Sequence, residues 1–212
     1  MRLLVVLVFA LALTGGARAA DIRVSTFAPV EDLSLPFWCD WSYDWEARCY
    51  RDDSERLAVG GVHDSVRRAA LRFPVGALPA DAVVVTAELA LWYDGTCAAP
   101  RRATRACDGS RGFELEAHPI FAARWLAERE VELGPTVAVA ELEPFAGLGP
   151  LVWDVTDLVS DWHSGGLPND GILVKLAAGE EGLDSSGPSF PSSTYPDAER
   201  RPRLTVWWYV PP

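Results

Sequence analysis

LVWDVTDLVSDWHSGGLPNDGILVKL, residues 151–176, holds both periodicities from which the chain is built. Val152, Trp153 and Val155 are strand formers. Asp154 and Thr156 are residue types that cap helix N-termini. Leu158, Val159 and Trp162 fall at i, i+1 and i+4, one apolar face of a short helical turn near 156–162. Gly165-Gly166 stops that turn, and Pro168-Asn169-Asp170-Gly171 reverses the chain. Ile172, Val174 and Leu176 then alternate as a half-buried strand does. Trp153 and Trp162 are predicted core anchors, and Asp154 and Thr156 are predicted capping residues, not acids or ligands.

The same period-two pattern extends outward. Ile22, Val24 and Thr26 alternate with Arg23 and Ser25. Residues 56–59 make a short strand ending at Gly60-Gly61. Over 66–73, Arg67, Ala69, Leu71 and Phe73 share one side. The longest signal is 83–93, with Val83, Val85, Ala87, Leu89, Leu91 and Tyr93 as the inner set and Thr86 and Glu88 outside. Phe113, Leu115 and Ala117 mark another strand, and 136–141 is strand-like. Residues 120–129, with Trp125, fit either a strand or a short helix. The Ser/Pro/Gly/Asp-rich stretch 177–201 reads as a long surface loop. The last strand, 203–209, sets Leu204, Val206 and Trp208 against Thr205, Trp207 and Tyr209. Short strands, Pro/Gly turns and almost no helical periodicity predict one all-β, jelly-roll-like antiparallel sandwich over residues 20–212.

The N-terminus stands outside that fold. Met1-Arg2 is a basic start, residues 3–13 are apolar, and Ala17-Arg18-Ala19 fits the small-x-small cleavage rule. A signal peptide over 1–19 follows, and with it a secreted, extracellular or periplasmic protein. No later run is long and apolar enough for a transmembrane helix. Export permits disulfides among the four cysteines, and local pairing is expected: Cys39–Cys49 and Cys97–Cys107. Loss of Arg2 and Arg18 takes the net charge from −11 to −13, which excludes nucleic acid as a partner of the overall field. Lys175, the one lysine, carries no assigned function.

A set of motifs recurs in order: Arg68-Ala69-Ala70-Leu71-Arg72-Phe73, Leu78-Pro79, Ala87-Glu88-Leu89 and Leu91. Next come Trp125, Asp154-Val155-Thr156-x-x-Val159-x-x-Trp162, Asn169-Asp170-Gly171-Ile172 and Arg201-Pro202-Arg203-Leu204. This order resembles the DNRLRE domain of secreted bacterial and archaeal proteins, a family related to jelly-roll carbohydrate-binding modules. The resemblance spans most of the chain after residue 19. It implies a non-catalytic binding module, with Phe73, Leu89, Leu91, Trp125, Trp153, Trp162 and Leu204 as core positions. Members usually sit on larger secreted proteins, and this chain reads as the domain alone.

Two segments depart from the family pattern. FWCDWSYDWEARCY, residues 37–50, sets Trp38, Trp41, Tyr43 and Trp45 beside Asp40, Asp44 and Glu46. A short helix there would put the tryptophans on one face. Aromatic faces stack on the C–H face of a sugar while flanking carboxylates take its hydroxyls. The competing reading, a cysteine-tied satellite cluster, is the more common use of such residues. Trp207 and Tyr209, sharing a side with Arg203 and Thr205, are a second glycan candidate. The loop over 97–111 carries Arg101 and Arg102, suited to an anionic glycan, against the simpler reading of a solvated loop.

No cofactor is required. A structural Ca2+ is the one option left open, on Asp52, Asp53 and Glu55 or on Asn169 and Asp170, without EF-hand spacing. The three histidines, His63, His118 and His163, sit in no catalytic motif. The chain therefore reads as a binding module and not an enzyme, with carbohydrate or cell-surface polysaccharide as partner. The alternative is a structural or adhesion protein of the cell surface or matrix with no small-molecule ligand. A polysaccharide-active enzyme ranks last, because acid pairs are too abundant here to signal one.

Overall fold

Alternating apolar residues have to be buried on one side of a strand, and two such sheets bury them against each other. A computed structural model describes residues 21–35, 38–41, 47–50, 55–62, 65–98, 110–121, 131–182 and 186–212. Its strands are β1 (Arg23–Phe27), β2 (Glu31–Leu35), β3 (Trp38–Trp41), β4 (Ala47–Tyr50), β5 (Arg56–Ala58), β6 (Gly60–Val62) and β7 (Ser65–Arg72). They continue with β8 (Val83–Tyr93), β9 (Cys97–Ala98), β10 (Phe113–Pro119), β11 (Ala138–Leu142), β12 (Gly149–Asp154), β13 (Ile172–Leu176), β14 (Gly187–Pro191) and β15 (Arg203–Tyr209). One α-helix, α1 (Thr156–Ser164), lies between β12 and β13. The protein is an all-β antiparallel sandwich with one short helix.

One sheet runs β1-β15-β8-β12, and the facing one runs β11-β10-β13-β7-β2, with β6 also paired to β7. Among the described residues every strand pairing within these two sheets is antiparallel. Phe73, Leu89, Leu91, Leu115, Trp153, Val174 and Leu204 are among the buried residues between the sheets. Trp153 is fully buried, and its Nε1–H donates to the Leu115 carbonyl of the opposite sheet at 3.0 Å. α1 closes one end by burying Leu158, Val159 and Trp162, and Gly165 ends it in the left-handed conformation, φ 79°.

Four local expectations are corrected. The residue before α1 is Val155, which has no side chain able to cap. Asp154 instead accepts from Thr156 N (3.0 Å) and Oγ1 (2.6 Å), an Asx-type turn, while Thr156 Oγ1 accepts from Ala87 N at 2.9 Å. In β8 the register slips opposite Trp207 and Trp208, so one extra β8 residue is accommodated as a bulge. The bulge reverses the phase below it. Val83 and Val85, read as inner, are 39% and 44% exposed, and Val84 packs on the core.

The stretch 177–201 is not all surface loop, since β14 is buried along its whole length and Phe190 is fully enclosed. A Cβ on Gly187 would run into the Val59 carbonyl, so this backbone-to-backbone approach requires glycine. Finally, residues 38–41 are strand and not helix. β3 and β4 form a two-stranded ribbon with Cys39 directly opposite Cys49. A strand alternates with period two, so positions 38 and 41 do not share a side.

The leader at 1–19, Tyr43, Trp45, Asp52, Asp53, Arg101, Arg102, Cys107 and Trp125 lie outside the described residues, as do the side chains of Trp38, Cys39, Trp41 and Cys49.

Candidate functional site

The outer face of β1-β15-β8-β12 assembles the chemistry most suited to a ligand. Its composition follows from strand alternation. In β15, Leu204, Val206 and Trp208 point into the core, which sends Arg203, Thr205, Trp207 and Tyr209 outward as partly exposed residues. In β8, Leu89, Leu91 and Tyr93 are buried, so Glu88, Ala90 and Trp92 face out. In β12, Trp153 is buried and Val152 and Asp154 are exposed.

Register then lines these residues up in rows. Val24 of β1 stands beside Trp207, and Trp207 beside Thr86. The next row is Thr26, Thr205, Glu88 and Asp154. Below it come Arg203, Ala90 and Val152, and then Trp92 beside Pro150. Two tryptophans thus bracket a polar saddle. Trp92 stands six positions along β8 from Thr86, the partner of Trp207, about 20 Å at strand rise.

The saddle is held from below and from one side. Thr26 and Thr205 hydroxyls lie 3.5 Å apart. Arg203 donates to the Glu199 carbonyl at 3.2 Å. The Arg200 guanidinium sits 5.8 Å from the Trp92 ring centre, a cation–π contact that orients the indole. Hydrogen bonds from the Thr156 hydroxyl and backbone N–H hold the Asp154 carboxyl below the ordinary carboxylate range. Asp154 therefore stays charged, opposite Glu88.

No family model matches the chain, and no curated protein resembles it in sequence. The site must be judged on its own geometry. Flat indole faces, hydroxyls, one guanidinium and two carboxylates spread over an open sheet can stack on and hydrogen-bond a long polar ligand. Trp207 and Tyr209 lie on the outward side that their alternation predicts. Trp92 was not singled out, although its place between Leu91 and Tyr93 fixes it to the outer side. Asn169 and Asp170 are partly buried, and the Asn169 amide donates to the Phe73 carbonyl at 2.8 Å. Among the described residues no three His, Cys, Asp or Glu side chains converge as metal ligands.

A second polar group lies on the outer side of the facing sheet. Lys175 Nζ is 2.8 Å from Glu116 Oε2, and His118 Nε2 is 3.2 Å from the same oxygen. His118 Nδ1 lies 3.0 Å from the Gly134 carbonyl. Lys175 and His118 are each 8% exposed. The chain over residues 131–137 runs beside this group, placing Val131 and Leu133 on Leu33, Leu35, Ala70, Ile120 and Leu173. The cluster is thus an internal tie, closed to a ligand of any size.

Proposed function

We propose that this protein is an exported, non-catalytic module that binds an extended glycan chain across the saddle between Trp207 and Trp92. The carrying observation is that two partly exposed indoles bracket Thr26, Thr205, Glu88 and Arg203 on one open sheet face. Sugar rings stack on aromatic faces at both ends, and their hydroxyls meet donors and acceptors between. The length of the saddle suits an oligosaccharide better than a single ring. The ordered resemblance to the DNRLRE domain points the same way. Two disulfides in the elaborated loops belong to this reading, supported by the Cys39/Cys49 register and by the bonded sulfur of Cys97.

The test is a glycan array followed by titration calorimetry on the best ligand. Trp207→Ala and Trp92→Ala are each expected to weaken binding at least about tenfold, the equivalent of about 1.4 kcal/mol. Both residues are partly exposed, and circular dichroism checks that each variant keeps the parent fold. If the array is empty, or both variants bind as the parent does, the glycan reading fails. A structural or adhesion role without a small ligand then takes its place.

A further inference from the structure

On one flank of the sandwich the two sheets end together, at β11 and β12. Each of these strands has one hydrogen-bonded neighbour among the described residues, β10 and β8 respectively. Among the described residues nothing pairs with their outer backbone N–H and C=O groups, which are placed to take an added strand. Two hollows lie along the seam. One, of about 370 Å³, is formed by Val137, Val139, Asp154, Thr156, Asp157 and Leu158 among others. The other, of about 310 Å³, is formed around Tyr93, Glu141, Glu143, Leu148 and Leu151.

Three features of the seam are unusual for a surface left to water. It is apolar: Val139 is 49% exposed, Leu148 67% and Phe145, in the turn joining the two strands, 76%. It is acidic: Asp154, Asp157, Glu141 and Glu143 line the hollows, and among the described residues no Arg or Lys does. Carboxylates also face one another across the adjoining strand pairs, Glu114 opposite Glu141 and Glu88 opposite Asp154, the last of them held by Thr156. Such facing pairs destabilise a sheet until a cation comes between or beside them.

We propose that the seam is a docking groove for an extended polypeptide segment of a partner protein that alternates basic and aliphatic side chains. The segment adds a strand to β11 or β12 by main-chain hydrogen bonds. Its aliphatic side chains enter the hollows over Val139 and Leu148. Its cations meet Asp157 at one end and Glu141 at the other. Because β12 has six residues, the paired length is about 20 Å. Asp154 borders both this groove and the glycan saddle, but Asp157 and Glu141, which meet the cations, lie outside the saddle rows, so the proposal is tested separately from it.

The probe is a short acetylated, amidated peptide alternating Arg and Val, titrated by fluorescence anisotropy against the whole protein. Three comparators accompany it: the Glu/Val peptide, the Arg/Val peptide with proline in place of alternate valines, and the double variant Glu141→Lys/Asp157→Lys. Glu141 and Asp157 are exposed, so the variant should fold. The expected result is saturable binding of the Arg/Val peptide and none of the Glu/Val peptide. Proline, which removes ladder donors, should abolish binding. The double variant should raise Kd at least about tenfold. Asp21→Lys/Asp81→Lys, an equal charge change away from the seam, should leave Kd unchanged. Amide exchange in β11 or β12 should slow on binding.

Equal binding of the proline peptide, or equal weakening by the distant charge change, would reduce the effect to the overall acidic field and overturn the proposal. So would the lack of saturable binding. A dimer dissolved by Glu141→Lys/Asp157→Lys would assign the groove to a second copy of this chain and overturn it as well.

Discussion

Replacing Glu116 with Gln removes a charge from an enclosed cluster while keeping its shape. Lys175 Nζ would then keep the Leu176 carbonyl, at 2.9 Å, and at best an uncharged amide oxygen at position 116, with no counter-charge in a setting that leaves the residue 8% exposed. Breaking a buried ion pair costs several kcal/mol because the remaining charge is uncompensated. The Glu116 side chain is 18% exposed, so some water reaches the site, and the lower end of that range applies: about 3 kcal/mol. Lys175→Met should cost less, about 1–2 kcal/mol, because Glu116 keeps His118 at 3.2 Å and its share of water. The double variant has no orphaned charge and should fall within about 1 kcal/mol of the parent. The cycle therefore predicts a coupling energy of roughly 3–5 kcal/mol.

Urea unfolding followed by tryptophan fluorescence measures each value, with an unchanged m confirming that only stability moved. The pH dependence has a definite sign. The hydrogen bond from Lys175, followed by that from His118, lowers the Glu116 carboxyl below its ordinary 4.5, against the opposing effect of burial. A depressed folded-state value means that ionisation stabilises the fold. That contribution is complete above pH 4.5 and is lost as pH falls through the folded value. The gap between parent and Glu116→Gln should thus be flat at neutral pH and close in acid. A Glu116→Gln cost under about 0.5 kcal/mol, or singles that simply add in the double variant, would refute the reasoning.

Two further outcomes follow from single residues. Trp153→Phe should destabilise by about 2 kcal/mol in the same urea assay, since it shrinks a fully buried side chain and leaves the Leu115 carbonyl without its donor. Phe145 holds φ 57°, a left-handed conformation that bulky residues rarely adopt, and it is 76% exposed. Phe145→Asn should recover about 1 kcal/mol of strain and raise Tm by about 3 °C in a thermal scan.

Most of the sandwich can be read from local alternation. β15 and β13 are legible because apolar and polar residues exchange at every step or because flanking turns bound the run. β14 is not, since Gly-Pro-Ser-Phe-Pro holds no β-branched residue and its burial comes from packing on β5 and β9. The β8 bulge leaves no trace, because Val83-Val84-Val85 is apolar throughout and a uniform run has no phase. Lys175 looked incidental because its partner, Glu116, arrives from β10 by register. The saddle is half legible. Alternation alone sends Trp92 and Trp207 outward, but only the pairing of four distant strands puts Thr26, Thr205, Glu88 and Asp154 in one row.

The two outer faces differ for a physical reason, and that difference locates the binding surface. On the β11-β10-β13-β7-β2 side, Leu33, Leu35, Ala70 and Leu173 point away from the main core. So many aliphatic groups cannot be left in water, and residues 131–133 with Ile120 cover them. Glu116, Lys175 and His118 are enclosed beside that cover and satisfy one another. On the β1-β15-β8-β12 side the outward residues are mixed: threonines, charges, single valines and two indoles. Such a face is stable without a cover, because its polar atoms reach water and its apolar groups are scattered. An all-polar face would be as stable. The two tryptophans add apolar area that stability of the isolated domain does not require, which is why the saddle, and not the covered face, is the surface to test for a ligand.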